Sequence, residues 1–197
     1  MVFNRFRILV STFIRRSNFF YLFLLPNCRA LFSNKITFKK RLEIQQHTVC
    51  TGKGYVEIGY NCLFGYKIGG FNRRGSIEIQ ARYDNSRIKI GDNVKTNNNI
   101  FLLAANYIEI GDNSLIGQNV TVMDHEAHGI EPHKRNQLGE VGKVIIGINV
   151  WIGNNVVILK NSEIGDNSIV ATGAVVSGKF PPNVIIGGMP AKILKNI

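Results

Sequence analysis

Aliphatic residues recur at every sixth position in the C-terminal half of the chain. The repeated positions are Ile146, Ile152, Ile158, Ile164, Val170 and Val176. A small residue usually follows each of them, and a small or branched residue comes four places later. This spacing fits neither the 3.6-residue period of an amphipathic helix nor the two-residue period of a half-buried strand. A six-residue repeat is typical of a parallel β-helix, in which successive coils stack on one another.

Three such hexads make one coil of a triangular prism. Ile146 and Ile164 lie eighteen positions apart, so the pattern predicts that they stack in register inside the coils. The Gly or Ala beside each inward residue relieves crowding where the backbone turns sharply. Pairs such as Asp112-Asn113 and Asp166-Asn167 supply turn residues that tolerate a left-handed backbone.

The same phrase occurs earlier in the chain with less regular spacing. Copies centred on Ile58, Ile90 and Ile110 are separated by thirty-two and then twenty residues, so the early coils are predicted to be irregular, with a loop near Asn72. The sequence pattern places the start of the first coil near Val56.

The hexad lapses between Val122 and Val144. Ile110 and Ile146 are nevertheless thirty-six residues apart, a whole number of coils, so residues 123–143 are predicted to form a loop that replaces part of a coil and leaves the phase unchanged. Long loops without secondary structure of their own are usually functional.

These boundaries divide the chain into three parts. Residues 1–45 are predicted to be a basic and aromatic appendage, residues 46–180 the β-helix, and residues 181–197 a tail that folds back over the last coil. A length of 197 residues with 45% hydrophobic content suits one such domain with an appendage.

Net charge is +11, and its placement is uneven. The first 41 residues hold nine basic residues and no acidic one, whereas the remaining chain carries fifteen basic against thirteen acidic residues. The basicity therefore belongs to the appendage, and no nucleic-acid partner is expected for the β-helix. The three cysteines have neither an even count nor metal-ligand spacing, which favours a reducing, cytoplasmic compartment.

Residues 1–33 interleave arginines with aromatic and aliphatic residues. Arg15 and Arg16 divide the apolar stretch into runs too short for a membrane span, and no signal-peptide pattern follows the charges. Two interpretations remain open and are compatible. The segment caps the open end of the β-helix, or it lies in the interface of an anionic membrane, where arginines attract lipid headgroups and Phe and Leu insert.

The ordered phrases W-I-G-N-N-V-V-I-L, I-G-D-N-S-I-V-A-T-G-A-V-V and P-P-N-V-I-I-G-G-M-P-A-K carry a family resemblance over roughly residues 88–197. They resemble the hexapeptide-repeat acyltransferases, above all the maltose and galactoside O-acetyltransferases and related polysaccharide O-acetyltransferases. The resemblance implies a left-handed β-helix, a homotrimer, and acetyl-CoA bound as co-substrate between subunits. It also implies a carbohydrate acceptor and a role in polysaccharide biosynthesis.

The resemblance implies a catalytic histidine in the projecting loop. The run H-G-I-E-P-H-K-R beginning at His128 is similar to the family motif, with Gly129 where the family has Pro. His125 is the alternative candidate. A histidine base would take the proton of an acceptor hydroxyl as it attacks the thioester. Glu126, Glu131 or a backbone carbonyl is expected to hold its tautomer.

Matching positions extend the resemblance to both substrates. Asn97 corresponds to the asparagine that binds the acceptor hydroxyl, and Trp151 is expected to point outward beside it. The acidic residue of the simple-sugar enzymes is replaced by Ala105, which favours a different glycan. The positions implied for acetyl-CoA are the backbone N–H of Asn154 as oxyanion donor, Thr172 and Ser177 along the pantetheine, and Lys192 and Lys195 at the phosphates.

Three other functions remain as alternatives. The first is N-acetylation of an amino sugar. The second is a zinc enzyme resembling the γ-carbonic anhydrases, because His128 and His133 have a spacing that two metal ligands can use, although the best interpretation expects no metal. The third is a scaffold that keeps the coil without chemistry, which the histidine-rich loop disfavours.

Overall fold

In the computed structural model, three parallel β-sheets form the sides of a left-handed β-helix. The structure describes the backbone of residues 2–197 and the side chains from residue 7 onward. Each coil contributes one strand to each sheet, so strands inside the stack pair with strands one coil before and one coil after them. The all-β fold class expected from the repeat is confirmed.

The strands of the first sheet are β1 (Ile36–Phe38), β4 (Tyr55–Ile58), β7 (Arg87–Ile90), β10 (Tyr107–Ile110), β13 (Lys143–Ile146), β16 (Ser162–Ile164) and β19 (Lys179–Phe180). The strands of the second are β2 (Glu43–Ile44), β5 (Leu63–Phe64), β8 (Lys95–Thr96), β11 (Leu115–Ile116), β14 (Trp151–Ile152), β17 (Ile169–Val170), β20 (Val184–Gly188) and β21 (Ala191–Asn196). The strands of the third are β3 (Thr48–Gly52), β6 (Ile77–Ala81), β9 (Phe101–Ala104), β12 (Thr121–Met123), β15 (Val157–Ile158) and β18 (Val175–Val176).

The hexad residues form the core as the sequence predicts. Ile146 pairs in register with Ile164, and Ile110 pairs with Ile146 one coil earlier. These three side chains are buried. Inward aliphatic residues from all three sheets thus make one continuous column of apolar contacts along the axis.

Asparagine holds the corners between the sheets. Among the described residues, thirteen non-glycine residues have positive φ, and eleven of these are asparagines. Their side chains hydrogen-bond from coil to coil, as in Asn61 to Asn93 (2.9 Å) and Asn149 to Asn167 (2.9 Å). Because asparagine tolerates the left-handed region and carries both a donor and an acceptor, it meets the backbone and stacking requirements together.

The early coils depart from the predicted boundaries. Strand β1 begins at Ile36 and pairs with β4, so coiling starts twenty residues before Val56 and ten before the predicted edge at residue 46. The expected loop near Asn72 occupies the chain between β5 and β6. The first strands were missed because a coil without the I-G-D-N phrase gives no periodic signal.

The N-terminal appendage is helical. It comprises α1 (Val2–Phe19), a π-helical turn (Phe20–Leu24) and α2 (Cys28–Phe32). Phe23 is fully buried in the core and Asn27 donates a hydrogen bond to the carbonyl of Thr48 (2.8 Å), so the segment is attached to the first coil. No helix among the described residues combines the length and apolarity needed to cross a membrane.

The C-terminal tail closes the second sheet. Strands β20 and β21 form an antiparallel pair, joined by a turn that contains the cis Met189-Pro190 bond. The tail is therefore a hairpin on the last coil.

We expect Ile146→Ala to lower the free energy of unfolding by about 2 to 5 kcal/mol, because it leaves a cavity in the axial column. Ile148→Ala, at an exposed position of the same coil, is the matched control and should change it by less than about 0.5 kcal/mol. Urea unfolding followed by circular dichroism measures both. Equal effects of the two substitutions would show that the column does not carry the stability of the coil.

Candidate active site

The loop at residues 123–143 is a hairpin that projects from the corner after β12. The backbone N–H of Glu126 donates to the carbonyl of Glu140 (2.9 Å). The N–H of Gly139 donates to the carbonyl of Glu126 (3.0 Å). A single turn of 3-10 helix, Pro132–Lys134, lies at its tip. The loop is therefore held by backbone pairing although the hexad pattern is absent.

Lys160 ties the base of this hairpin to the coil below. Its Nζ contacts the carboxylates of Glu140 and Glu126, the latter at 3.3 Å. The hydrogen bond from Lys160 lowers the pKa of Glu140, and the same bond raises the pKa of Lys160. These charged groups keep the loop close to β15.

Asp124 and His125 are buried at the start of the loop. The Asp124 carboxylate accepts backbone N–H bonds from Ala105, Asn106 and Tyr107 at 2.7 to 2.8 Å. It also lies 2.8 Å from His125 Nδ1, and Arg82 Nη1 lies 3.4 Å from Nε2 of the same ring. Both ring nitrogens of His125 thus have polar neighbours, and the ring is enclosed.

His128 is exposed on the same loop. Its Nδ1 lies 2.6 Å from the backbone carbonyl oxygen of Arg135. Because a carbonyl oxygen only accepts, Nδ1 must carry the proton, which leaves Nε2 with a free lone pair in the neutral ring. A backbone carbonyl fulfils the orienting role for which Glu126 and Glu131 were alternatives. Glu131 instead pairs with Lys134 (3.1 Å).

A groove on the outer face of the second sheet brings three predicted site residues together. Asn97, Trp151 and Asn154 line a cavity of about 460 Å³, with Tyr66 and Lys95 beside them. The Trp151 side chain is 55% exposed and points away from the axis. The groove can bind a ring-shaped polar molecule against an aromatic wall.

Asn154 has a free backbone donor in this groove. Its side-chain oxygen accepts the N–H of Gln118 (2.9 Å), and its carbonyl accepts the N–H of Gly173 (2.9 Å). Among hydrogen bonds between described residues, none uses the N–H of Asn154. That donor is available to an oxyanion.

The remaining predicted cofactor residues lie toward the C-terminal end. Thr172 and Ser177 are exposed at corners of the last coils. Lys192 and Lys195 are exposed on β21, opposite Gly187 and Ile185. Within a single chain, His128 does not line the Asn97–Trp151 groove.

Sequence reasoning missed Asp124 and the two groove residues Tyr66 and Lys95. The Asp-His pair in M-D-H-E can be seen in the sequence. The three backbone N–H groups that donate to the Asp124 carboxylate belong to the preceding coil, however, so no motif near Asp124 indicates these bonds. In the part of the chain that the structure describes, no cluster of three His, Cys, Asp or Glu residues could hold a metal ion.

Comparison with known families identifies the repeat. The model described as bacterial transferase hexapeptide (six repeats) matches residues 143–178, and that of the hexapeptide repeat of succinyl-transferase matches residues 107–131. The second match reaches into the projecting loop.

Two curated relatives are similar over the coils. Galactoside O-acetyltransferase from Escherichia coli is 40% identical over 116 residues, covering 57% of this chain and 55% of the relative. The putative lipopolysaccharide biosynthesis O-acetyl transferase WbbJ from the same organism is 35% identical over 120 residues, covering 55% and 60%. The chain therefore spans less than two thirds of the length of these relatives.

A solved structure extends the similarity. The hexapeptide-repeat acetyltransferase VCA0836 from Vibrio cholerae, in complex with acetyl coenzyme A, superimposes with a TM-score of 0.55 at 30% identity. The alignment covers 70% of this chain and 69% of that protein. With its coil register, its repeat phrases and these matches, the chain belongs to the hexapeptide-repeat acyltransferase family.

Proposed function

We propose that the protein is an acetyl-CoA-dependent O-acetyltransferase that acts on a carbohydrate hydroxyl. The observation that carries this proposal is the His128 ring, exposed and oriented by the Arg135 carbonyl at 2.6 Å. That geometry presents Nε2 as a base, which is the one group the reaction requires from the loop.

The proposed reaction is a direct transfer. Nε2 of His128 takes the proton of the acceptor hydroxyl while its oxygen bonds to the thioester carbon. The carbonyl oxygen becomes an oxyanion that the Asn154 N–H stabilises. When the C–S bond breaks, the thiolate of CoA leaves and receives the proton from the imidazolium. Holding both substrates side by side supplies much of the acceleration.

The acceptor is assigned to the Asn97–Trp151 groove. An amide and an aromatic wall suit a sugar ring, which offers hydroxyls at its edge and C–H groups on its face. Ala105 has no charged side chain, and its backbone N–H donates a hydrogen bond to the Asp124 carboxylate. We therefore favour a glycan other than a simple mono- or disaccharide.

A second chain is required to complete the site. His128 and the groove lie on different parts of one chain, so we propose that copies assemble as a homotrimer in which one subunit's loop faces its neighbour's groove. Thr172, Ser177, Lys192 and Lys195 would then line the acetyl-CoA cleft.

We also propose that α1 binds an anionic membrane surface. Its exposed side chains include Leu9 and Phe13, with Arg15 and Arg16 on the following turn. The side chains of Phe3, Arg5 and Phe6, which contribute to this prediction, lie outside the described residues. Since Phe23 is anchored in the core, the segment can cap the coils and contact lipid together.

We expect His128→Ala to lower kcat/KM by roughly 10² to 10⁴, because the general base is lost. His133→Ala, at another exposed position of the loop, should leave turnover within a few-fold. His125→Ala should lower kcat/KM less than His128→Ala does. Acetyl-CoA turnover with a panel of glycan acceptors measures these effects, and a tolerated His128→Ala with an inactive, folded His125→Ala would overturn the assignment.

Replacing both Lys192 and Lys195 by Ala should raise the KM for acetyl-CoA, because two charge-assisted contacts with phosphate are removed. A phosphate-free donor, S-acetylpantetheine, should be nearly unaffected. Lys53→Ala with Lys67→Ala is a control with the same change in charge. Equal damage with both donors would show that the two lysines serve the fold.

The intact protein should bind phosphatidylglycerol vesicles at low salt and release them at high salt, with no binding to phosphatidylcholine vesicles. Leu9→Gln with Phe13→Gln should weaken binding without disturbing the buried Phe23. Ile68→Gln, at an exposed position in the loop near Asn72, is the control. Vesicle sedimentation that shows no difference between the lipids would contradict the proposal.

A further inference from the structure

A second cavity lies between the N-terminal helical segment and the first coils. Its volume is about 1190 Å³. One wall comes from α1 and the π-helical turn, and the other from residues 38–45 and the corner at residues 61–63. It shares two lining residues, Leu63 and Lys95, with the groove described above.

This cavity concentrates positive charge. Its cationic lining residues are Arg15, Arg16, Lys39, Lys40, Arg41 and Lys95, against Glu43 as the acidic one. Lys39 pairs with Asp92 (3.0 Å). Of the ion pairs between described side chains, none involves the other five cations. Cations in such excess over carboxylates repel one another, and an anionic ligand would relieve that repulsion.

The same cavity has an apolar wall. Phe19, Phe20, Leu24, Phe38 and Leu42 line it beside the cations. Phe20 and Phe38 remain exposed to solvent, so the wall offers apolar surface that is not already covered. An inorganic anion has no apolar group to bury against such a surface, whereas a lipid with a phosphate headgroup would cover it with its chain.

The backbone at Arg41 supports a role for this cation. Arg41 has φ of 64°, in the left-handed region, and lies one coil before Asn61, whose N–H bonds to the Lys40 carbonyl. The next residues in that column, Asn61 and Asn93, form the side-chain ladder. Asparagine would fit this corner better than arginine does. A strained backbone kept at the rim of a cavity points to function.

The cavity adjoins the acceptor groove. Leu63 and Lys95 line both. The outer positions of the second sheet run in register from Glu43 through Leu63, Lys95 and Leu115 to Trp151. Four strand spacings separate the two ends, a span of roughly 19 Å. An oligosaccharide can bridge that span, and a single sugar cannot.

We propose that this cavity binds the diphosphate and first isoprene units of a lipid-linked oligosaccharide, whose sugars run along the second sheet to the Asn97–Trp151 groove. The inference names the acceptor class and rests on the proposed transferase function. The cations hold the diphosphate, the aromatic wall holds the start of the lipid, and Lys95 lies at the passage between cavity and groove.

Binding of farnesyl diphosphate to the intact protein, measured by titration calorimetry without acetyl-CoA, tests the site. We expect inorganic diphosphate and farnesol each to bind at least about tenfold more weakly, because each lacks one half of the interaction. Dioctanoyl phosphatidylglycerol below its micelle concentration should also bind more weakly, since it carries one phosphate. Equal affinity for it would assign the cavity to membrane phospholipid and overturn the proposal.

Two double variants separate the site from general charge. Arg41→Asn with Lys95→Gln should weaken farnesyl diphosphate binding at least about tenfold, whereas Arg73→Gln with Arg74→Gln, exposed in the loop near Asn72, should not. Arg41→Asn alone should weaken binding while the melting temperature stays level or rises, because the corner strain is relieved. Unchanged binding in the first double variant would refute the site. Binding is read without turnover, so an inactive cavity and a wrong transferase assignment give different results.

Discussion

The constraint on which the structure depends is that each coil must turn three corners and return in register with the coil below. A left-handed corner is sterically unfavourable for an L-residue, and asparagine tolerates this conformation better than most residues do. Here the corner asparagines also hydrogen-bond to one another, as Asn99 does to Asn119 (2.6 Å) and Asn119 to Asn155 (3.0 Å). The corners are thus linked along the axis, and the aliphatic column inside is kept aligned.

The same constraint explains how the active-site loop can project without disturbing the coils. The chain leaves the coil at Asp124 and returns at β13, and the Asp124 carboxylate replaces missing corner contacts by accepting three N–H groups of the preceding coil. His125 is packed against that carboxylate, while His128 lies beyond it on the paired hairpin. The two histidines therefore differ in environment: His125 is packed where the chain leaves the coil, and His128, three residues later, faces solvent.

The axial column and the outward position of Trp151 were predictable because they follow from a period that the sequence shows directly. The spacing of thirty-six residues suggests two coils from Ile110 to Ile146, with the loop replacing part of one. The two residues instead pair as direct neighbours, so the loop is inserted into a single coil, which the period alone does not reveal. The start of coiling at Ile36 was not predictable either, since β1 and β2 lack the repeated phrase and are recognised only by pairing with β4 and β5. The bond from His128 to the Arg135 carbonyl was left among alternatives, because a backbone acceptor has no residue type that sequence could reveal. The cavity under α1 was invisible for a similar reason. Its cations come from three separate segments of the chain, and α1 is brought to the other two by Phe23 entering the core.

The hairpin of β20 and β21 has a consequence for how this molecule behaves among its own copies. A stack of parallel strands ends in a row of unpaired N–H and C=O groups, which is a template for the next chain to join. On the second sheet β21 occupies that row in the antiparallel direction, so a further coil cannot add with the parallel register of the stack. At the opposite end the helical segment lies over the first coil. On its second sheet, the repeat is thereby closed to the parallel addition of a coil from another molecule.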